Sequence, residues 1–239
     1  MIGKILKFGI NIIDSKNKKK ILSFFKKKFN NASLFILDVG SHHGETISFF
    51  SNNFDVSQIH GFEPSITNFL TLEKNIKNLK NLKNIQIHNY GLGNKYGVFD
   101  FTQTSESSSS TFVQISEKSS YFKKKYLILN LGKKKDNLKK TQCSLDTGKN
   151  FFQKNDLNYV DLLKIDTEGF EFEVLEGLDD HIKKIKFIYF EHHFDDMLQK
   201  SYKLSNIHNL LIAKNFKKVF KLKMSFRKAF EYVYENKGL

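Results

Sequence analysis

The sequence predicts an α/β fold of the Rossmann-like, doubly wound kind: a mostly parallel sheet finished by an antiparallel C-terminal strand. Three observations predict it. Apolar runs end on acidic or glycine-rich turns at Asp38-Val39-Gly40-Ser41-His42-His43-Gly44, at Gly61-Phe62-Glu63-Pro64 and at Lys164-Ile165-Asp166-Thr167-Glu168-Gly169. Strand and helix patterns alternate with short connections from residue 34 to residue 93, which is the rhythm of half a doubly wound sheet. The last two apolar runs are separated by little more than Ser225-Phe226, so they form a hairpin and one of them runs antiparallel. Ligands of open α/β sheets bind in the crevice at the carboxyl ends of the strands. Three strand-end acids in one chain therefore predict an enzyme.

The elements follow in order. Residues 1–30 carry Ile2, Ile5, Leu6, Ile10, Ile13, Ile21, Phe24, Phe25 and Phe29 at helical spacing with lysines between them, predicting one or two amphipathic helices. Leu34–Val39 is a continuous apolar run, the pattern of a strand buried on both faces, and a helix over Gly44–Phe50 follows. Gln58–Phe62 is the second strand. Ser65 caps a helix over Ser65–Leu79 whose inner stripe is Phe69, Leu70, Leu72, Ile76 and Leu79. Ile85, Ile87 and Tyr90 alternate as a third strand that closes on Gly91-Leu92-Gly93. An extra strand at Val98–Phe101 precedes a serine run, Ser105–Ser110, and a lysine-rich stretch to residue 140, read as an insertion at about 102–140. Strands at Thr141–Asp146, Val160–Asp166 and Ile185–Glu191, helices over Phe170–Leu178 and Ile207–Asn215, and the closing pair Lys217–Met224 and Arg227–Glu235 complete residues 31–239 as one domain.

Composition narrows the function. With 239 residues, 40% of them hydrophobic, the chain has enough apolar material for one α/β core and is not disordered. Arg227 is the only arginine, and Phe, Lys, Asn and Ile are in excess with no Trp and one Pro, a skew that an AT-rich genome accounts for in part. The net charge of +14 invites a nucleic-acid reading. Its distribution argues against one. Residues 1–30 hold nine lysines against Asp14, and residues 118–140 hold nine against Asp136, which leaves the motif-bearing body close to neutral. Sequence-reading contacts rely on arginine, so specific nucleic-acid binding is not expected. The helices of residues 1–30 are read as packing on the domain with their lysines solvated, and a basic amphipathic helix can also lie on an anionic membrane. Cys143 is the lone cysteine, so there is no internal disulfide and a cytoplasmic setting fits. No apolar run reaches the roughly 18–20 residues of a membrane span, and Met1–Phe8, interrupted by Lys4 and Lys7, lacks the core of a signal peptide.

In Asp38-x-Gly40-x-x-x-Gly44, Gly40 lets backbone approach a ligand, Gly44 permits the helix to start against it, and the helix N-terminus offers free N–H groups. His42 stands where the dinucleotide fingerprint has its second glycine, which favours a ligand without pyrophosphate. Glu63, at the end of the next strand, is placed to accept hydrogen bonds from ribose hydroxyls.

These motifs resemble the FkbM family of S-adenosylmethionine (SAM)-dependent methyltransferases. Leu37-Asp38-Val39-Gly40…Gly44, Phe62-Glu63-Pro64 and Leu162-Leu163-Lys164-Ile165-Asp166-Thr167-Glu168-Gly169-Phe170-Glu171…Val174-Leu175-Glu176-Gly177 carry the resemblance, over roughly residues 34–215. It implies a class I methyltransferase sheet, SAM as cofactor, and methylation of hydroxyl oxygens on sugars, glycans or small metabolites. It also implies that Asp38, Gly40 and Gly44 line the methionine and adenosine side, that Glu63 holds the ribose, and that Gly91 to Gly93 lie near the adenine. Ser41-His42 departs from the family's usual Ala-Asn.

Methyl transfer to a hydroxyl needs in-line approach and removal of a proton from a weak acid. Asp166 ends a buried strand, and Glu168 follows on the same face by period two. Glu191, His192 and His193 end the next strand and are read as facing the same crevice. Asp166, Glu168 and His192 are the candidate bases, while Glu171, Glu173 and Glu176 read as solvated or structural. His42/His43 and His192/His193, with Asp195 and Asp196, suggest metal ligands, but adjacent residues diverge and no i, i+4 pair exists, so no metal is expected. The serine run reads as a cover over the cofactor or a linker. Tyr121, Phe122 and Tyr126 read as the aromatics that dock the insertion. An RNA-modifying methyltransferase and a non-catalytic nucleoside-binding protein are the alternative functions.

Overall fold

The computed structural model describes residues 17–77, 79, 82–104, 107–124, 138–224 and 227–239. The readings made for residues 1–16, Ser105, Glu106, Tyr126 with the rest of 125–137, and the Ser225-Phe226 turn fall outside them. A helix occupies residues 17–29 (α1). It is followed by β1 (Leu34–Val39), α2 (Glu45–Asn53), β2 (Val56–Phe62), α3 (Ile66–Ile76), β3 (Ile85–His88), β4 (Gly91–Gly93) and β5 (Gly97–Gln103). Then come β6 (Lys139–Thr147), α4 (Gly148–Lys154), β7 (Val160–Ile165), α5 (Glu171–Glu176), β8 (Ile185–His193), α6 (Leu204–Ala213), β9 (Phe216–Lys223) and β10 (Ala229–Asn236).

Seven strands form the main sheet in the order β3-β2-β1-β7-β8-β10-β9. The first five run parallel, and β10 is antiparallel to both of its neighbours. The order reverses between β1 and β7, so their carboxyl ends open the crevice that binds ligands in such sheets. A second sheet, β4-β6-β5, lies at the side of this crevice, with β5 antiparallel to β6.

Alternation along the strands divides the core in two. Leu37, Leu163, Ile188, Phe190, Tyr232 and Tyr234 face one side, under α5 and α6. Ile36, Leu162, Phe187, Tyr189 and Val233 face the other, under α1, α2 and α3, where they meet Phe25, Phe29, Ile47, Phe50 and Leu72. Carried toward the carboxyl ends, the second stripe turns polar: Leu162 leads to Lys164 and Asp166, Phe187 to Tyr189, Glu191 and His193, and Val233 back to Glu231. Period two therefore delivers this whole set to one face of the sheet.

Several details depart from the sequence reading. Leu70 is 57% exposed; α3 buries Asn68, Leu72 and Ile76, a stripe at four-residue spacing that leaves Leu70 half a turn away. Ser65 does cap α3, accepting from the Asn68 N–H. The third strand ends at His88, before Tyr90, and α4 had no counterpart in the reading. The insertion docks by its aromatics where it is described: Phe122 and Tyr121 pack with Val113, Ile115, Met197 and Leu198.

Candidate active site

The turn after β1 is held by backbone geometry. Gly40 and Ser41 both donate to the Phe62 carbonyl (2.9 and 3.0 Å), fastening the turn to the end of β2. Gly40 has φ +85°, and a Cβ there would lie 2.0 Å from the Asp166 carbonyl oxygen, so only glycine lets β1 and β7 approach at this point. Gly44 is the left-handed N-cap of α2.

Glu63 is 4% exposed. One of its oxygens accepts from the His42 N–H at 2.9 Å, the other from the Ser65 N–H at 2.9 Å and the Asn68 amide at 3.4 Å. Burial raises its pKa and these donors pull it back. The donors occupy both lone pairs of one oxygen and one of the other, which leaves a single lone pair for a ligand hydroxyl. The cleft in front of it is lined by Gly40, His42, Glu63, Asn68, Gly91 and Asp166, with Pro64, Leu92, Phe101, Phe112 and Phe170 as its apolar wall. Ser107, Ser108 and Ser110 close its outer side, and the Ser107 hydroxyl lies 2.7 Å from His42 Nε2. The described part of the serine run, residues 107–110, therefore covers the cleft.

A second cavity of about 450 Å³ opens beside the first and shares Gly40, His42, Ser108 and Asp166 with it. Its floor is the polar stripe: Lys164, Asp166, Glu168, Tyr189, Glu191 and Glu231. Its far wall comes from the two ends of the chain, Asn17, Lys18 and Ile21 of α1 with Met224 and Arg227. Lys164 is buried, 3.3 Å from Asp166 Oδ2 and 4.4 Å above the Tyr189 ring. Burial works against its charge, but Asp166, Glu231, Glu191 and Asp38 outweigh that and hold its pKa above the ordinary lysine value. The Tyr189 hydroxyl donates to Glu231.

His193 anchors the acids at the end of β8. Its Nε2 lies 3.3 Å from both Glu168 and Glu191, and its Nδ1 lies 3.3 Å from Asp195. Burial opposes the imidazolium, yet the carboxylates raise its pKa to about 10. Glu168 adopts a left-handed φ of +51°, which turns its side chain to this cluster. Glu191 is 5% exposed, and burial together with Asp166 pushes its carboxyl up to about 7.

The nine residues singled out in the sequence are therefore distributed unevenly. Gly40, Glu63 and Gly91 line the cleft, Asp166 lies between the two cavities, and Glu168 lines the second. Asp38, Gly44 and Gly93 stand behind the walls. The Asp38 carboxylate is fully buried, and burial pushes its pKa up to about 7, with Ser41 and Lys164 pulling it back. Gly93 leaves room for the Phe170 ring, 2.9 Å from where its Cβ would be. His192 does not face the crevice. Strand alternation sends it to the opposite side, against Tyr202 and Phe194, where burial lowers its pKa to about 3. The reasoning that neighbouring histidines diverge holds for this pair and fails for His42/His43. The left-handed φ of His42 (+47°) stacks those two rings at 3.7 Å, and with Glu45 their donor atoms lie within 4.8 Å of one another. Both ring nitrogens of His42 are engaged, by Glu45 and Ser107. Glu171 is structural, accepting from the Gly169 N–H and the Tyr202 hydroxyl.

A model of the Methyltransferase FkbM domain matches residues 38–220. Methyltransferase 1 of Beauveria bassiana (strain ARSEF 2860) is 28% identical over 147 residues, which is 61% of this chain and 59% of that protein. The crystal structure of Methyltransferase FkbM from Methylobacillus flagellatus KT superposes with a TM-score of 0.54 at 13% identity, over 85% of this chain and 43% of that one. The magnesium protoporphyrin IX methyltransferase of Synechocystis PCC 6803, with bound SAM, superposes with a TM-score of 0.55 at 8% identity, over 95% of this chain and 81% of that one. The two structural likenesses are of fold. The chain spans about three-fifths of the curated relative and less than half of the FkbM structure.

Proposed function

Because the chain belongs to the FkbM methyltransferase family, we propose that it transfers a methyl group from SAM to a hydroxyl oxygen of a sugar, glycan or small metabolite. The observation that carries this reading is the junction of the two cavities at Gly40, His42, Ser108 and Asp166. The first, about 40 Å³ as it stands, carries groups that would recognise a nucleoside, and the second, about 450 Å³, suits a polar acceptor.

The residues fit the cofactor. Gly40 lines the cleft, Glu63 keeps one carboxylate lone pair for a ribose hydroxyl, and Phe101, Phe112, Phe170 and Pro64 give an apolar wall for a base. When bound, SAM supplies an electrophilic methyl on a sulfonium. The protein's part is to bind, orient and dehydrate. Ser107, Ser108 and Ser110 close the outer side of the cleft against water. Asp166, steered by the Lys164 ammonium, stands between the cavities where the acceptor oxygen must approach in line. Carboxylates and tyrosine on the floor of the second cavity suit a ligand rich in hydroxyl donors.

Two measurements test the reading together: calorimetric binding of SAM, and release of S-adenosylhomocysteine with a panel of saccharide and polyol acceptors. We expect micromolar binding and acceptor-dependent release. Binding without release for every hydroxyl acceptor would leave a nucleoside-binding protein.

A further inference from the structure

We propose that His42, His43 and Glu45 form a binding site for a divalent first-row transition-metal ion at the rim of the second cavity, with an open position for an acceptor oxygen. The acceptor's part in this rests on the methyl-transfer reading above; the metal site itself does not.

Neighbouring side chains usually diverge, which argues against a metal from sequence alone. Backbone geometry removes that objection here. His42 has φ +47°, so the chain turns left-handed just before α2 and brings the rings of His42 and His43 face to face, 3.7 Å apart and 20° from parallel. Glu45, the first residue of α2, completes the set, and one donor atom from each residue lies within 4.8 Å of the other two. Among the described residues this is the one group of three or more histidine, cysteine or carboxylate donors so close together. His193, by contrast, is a single imidazole facing three carboxylates and serves as their counter-charge.

The distances suit a single ion. Donors held about 2.0–2.2 Å from zinc stand roughly 3–4 Å from one another, and His42 Nδ1 already lies 3.1 Å from Glu45 Oε1. The Glu45 side chain is exposed, so it has room to close the rest of the gap. On the far edge of the His42 ring, Nε2 meets the Ser107 hydroxyl at 2.7 Å. With the ring proton on Nε2, that hydrogen bond leaves the Nδ1 lone pair to the metal, the kind of outer contact that orients metal-binding histidines. Two imidazoles with one carboxylate suit zinc and its first-row neighbours, whereas magnesium and calcium take oxygen ligands. Three protein ligands leave at least one position open. His42 and Glu45 line the second cavity, and His42 also lines the nucleoside cleft, so the ion borders the junction of the two. A hydroxyl oxygen bound to it there is held near the methyl donor, and the ion's charge makes its proton easier to lose.

The test is calorimetric titration of the full chain, first stripped with a chelator, with Zn²⁺, Co²⁺ and Mg²⁺ in turn. We expect one Zn²⁺ or Co²⁺ per chain, with Mg²⁺ weaker by about 10²-fold or more. His42→Asn, His43→Ala and Glu45→Gln should each weaken Zn²⁺ binding by about tenfold or more. Asparagine tolerates the left-handed turn and Glu45 is exposed, so these two variants keep the fold, which thermal midpoints verify. Zn²⁺ binding no tighter than Mg²⁺, or unchanged in all three variants, would overturn the site. The acceptor's part is read separately, from release of S-adenosylhomocysteine with one hydroxyl acceptor by stripped and Zn²⁺-loaded protein at saturating SAM. The loaded form should be faster by about tenfold or more. Equal rates would overturn the acceptor's part alone. No release from either form would overturn the methyl-transfer reading, while the titrations still decide the metal site.

Discussion

At the scale of single residues, the site depends on acids whose surroundings assign them different tasks. Glu63 is held by three donors and faces the nucleoside cleft. Its replacement by alanine should weaken SAM binding by about 2–3 kcal/mol, the size of lost charge-assisted hydrogen bonds; calorimetry on the folded variant checks this, and unchanged affinity would remove Glu63 from the site. His192 and His193 are neighbours with opposite electrostatics. The folded pKa of His193 is raised to about 10, so its contribution to stability is complete below an unfolded value near 6.5 and is lost as pH rises toward 10. That of His192 is depressed to about 3, so folding loses stability there as pH falls below about 6.5. His193→Gln should therefore cost about 3–5 kcal/mol near pH 6, the scale of breaking a buried ion pair, and markedly less near pH 10. Urea titrations at both pH values decide it; an equal cost at both would contradict the imidazolium assignment.

At the scale of elements, much was legible and the gaps have physical causes. The strands that carry Asp38, Glu63 and Asp166 were visible because continuous apolar runs stopped at glycine or acid, and the antiparallel ending was visible in the short Ser225-Phe226 interval. Lys164, Tyr189 and Glu231 were missed as site residues, although the signal was present: each is polar at period two from a buried residue, on the same face as Asp166 or Glu191. His192 was misjudged because residues at a strand end were treated as if all of them faced the crevice, against strand alternation. The left-handed turn at Glu168 had no sequence signal, and that at His42 only a weak one, since histidine is enriched in that region among non-glycine residues and glutamate is not. The described part of the basic N-terminal segment packs on the domain, as its amphipathic pattern predicts. Its α1 stripe is built into the core: Phe25 is fully buried and contacts Phe24, Phe29, Phe50, Phe187 and Tyr189. Phe25→Ala should destabilise the whole domain by about 3–5 kcal/mol, seen as a lower denaturant midpoint with an unchanged slope. A loss below about 1 kcal/mol would mean that α1 is an appendage.

At the scale of the molecule, the question is what the +14 charge does. Among the described residues, exposed lysines line α1 (Lys18, Lys19, Lys20, Lys26, Lys27) and the edge strand β9 (Lys217, Lys218, Lys221, Lys223), besides those of the insertion and others spread over the surface. These two elements touch through Phe24 and Phe220. Lysines on an edge strand have a structural use of their own, since they discourage a second sheet from pairing there. The floor of the second cavity, by contrast, is dominated by carboxylates, which repel a phosphate backbone. An RNA substrate would have to cross from a cationic exterior to an anionic interior, with Arg227 as the only arginine available to read a base. We therefore expect RNA binding to be weak, indifferent to sequence, and reduced about tenfold or more between 50 and 200 mM salt, as counterion release requires when lysine–phosphate contacts supply the affinity. A gel-shift or anisotropy titration over that range, with two unrelated RNA sequences, measures all three properties. Tight binding that survives 200 mM salt and distinguishes the two sequences would mean that the lysine face guides a specific RNA to the cavity, and would turn the acceptor from a saccharide hydroxyl into a nucleotide.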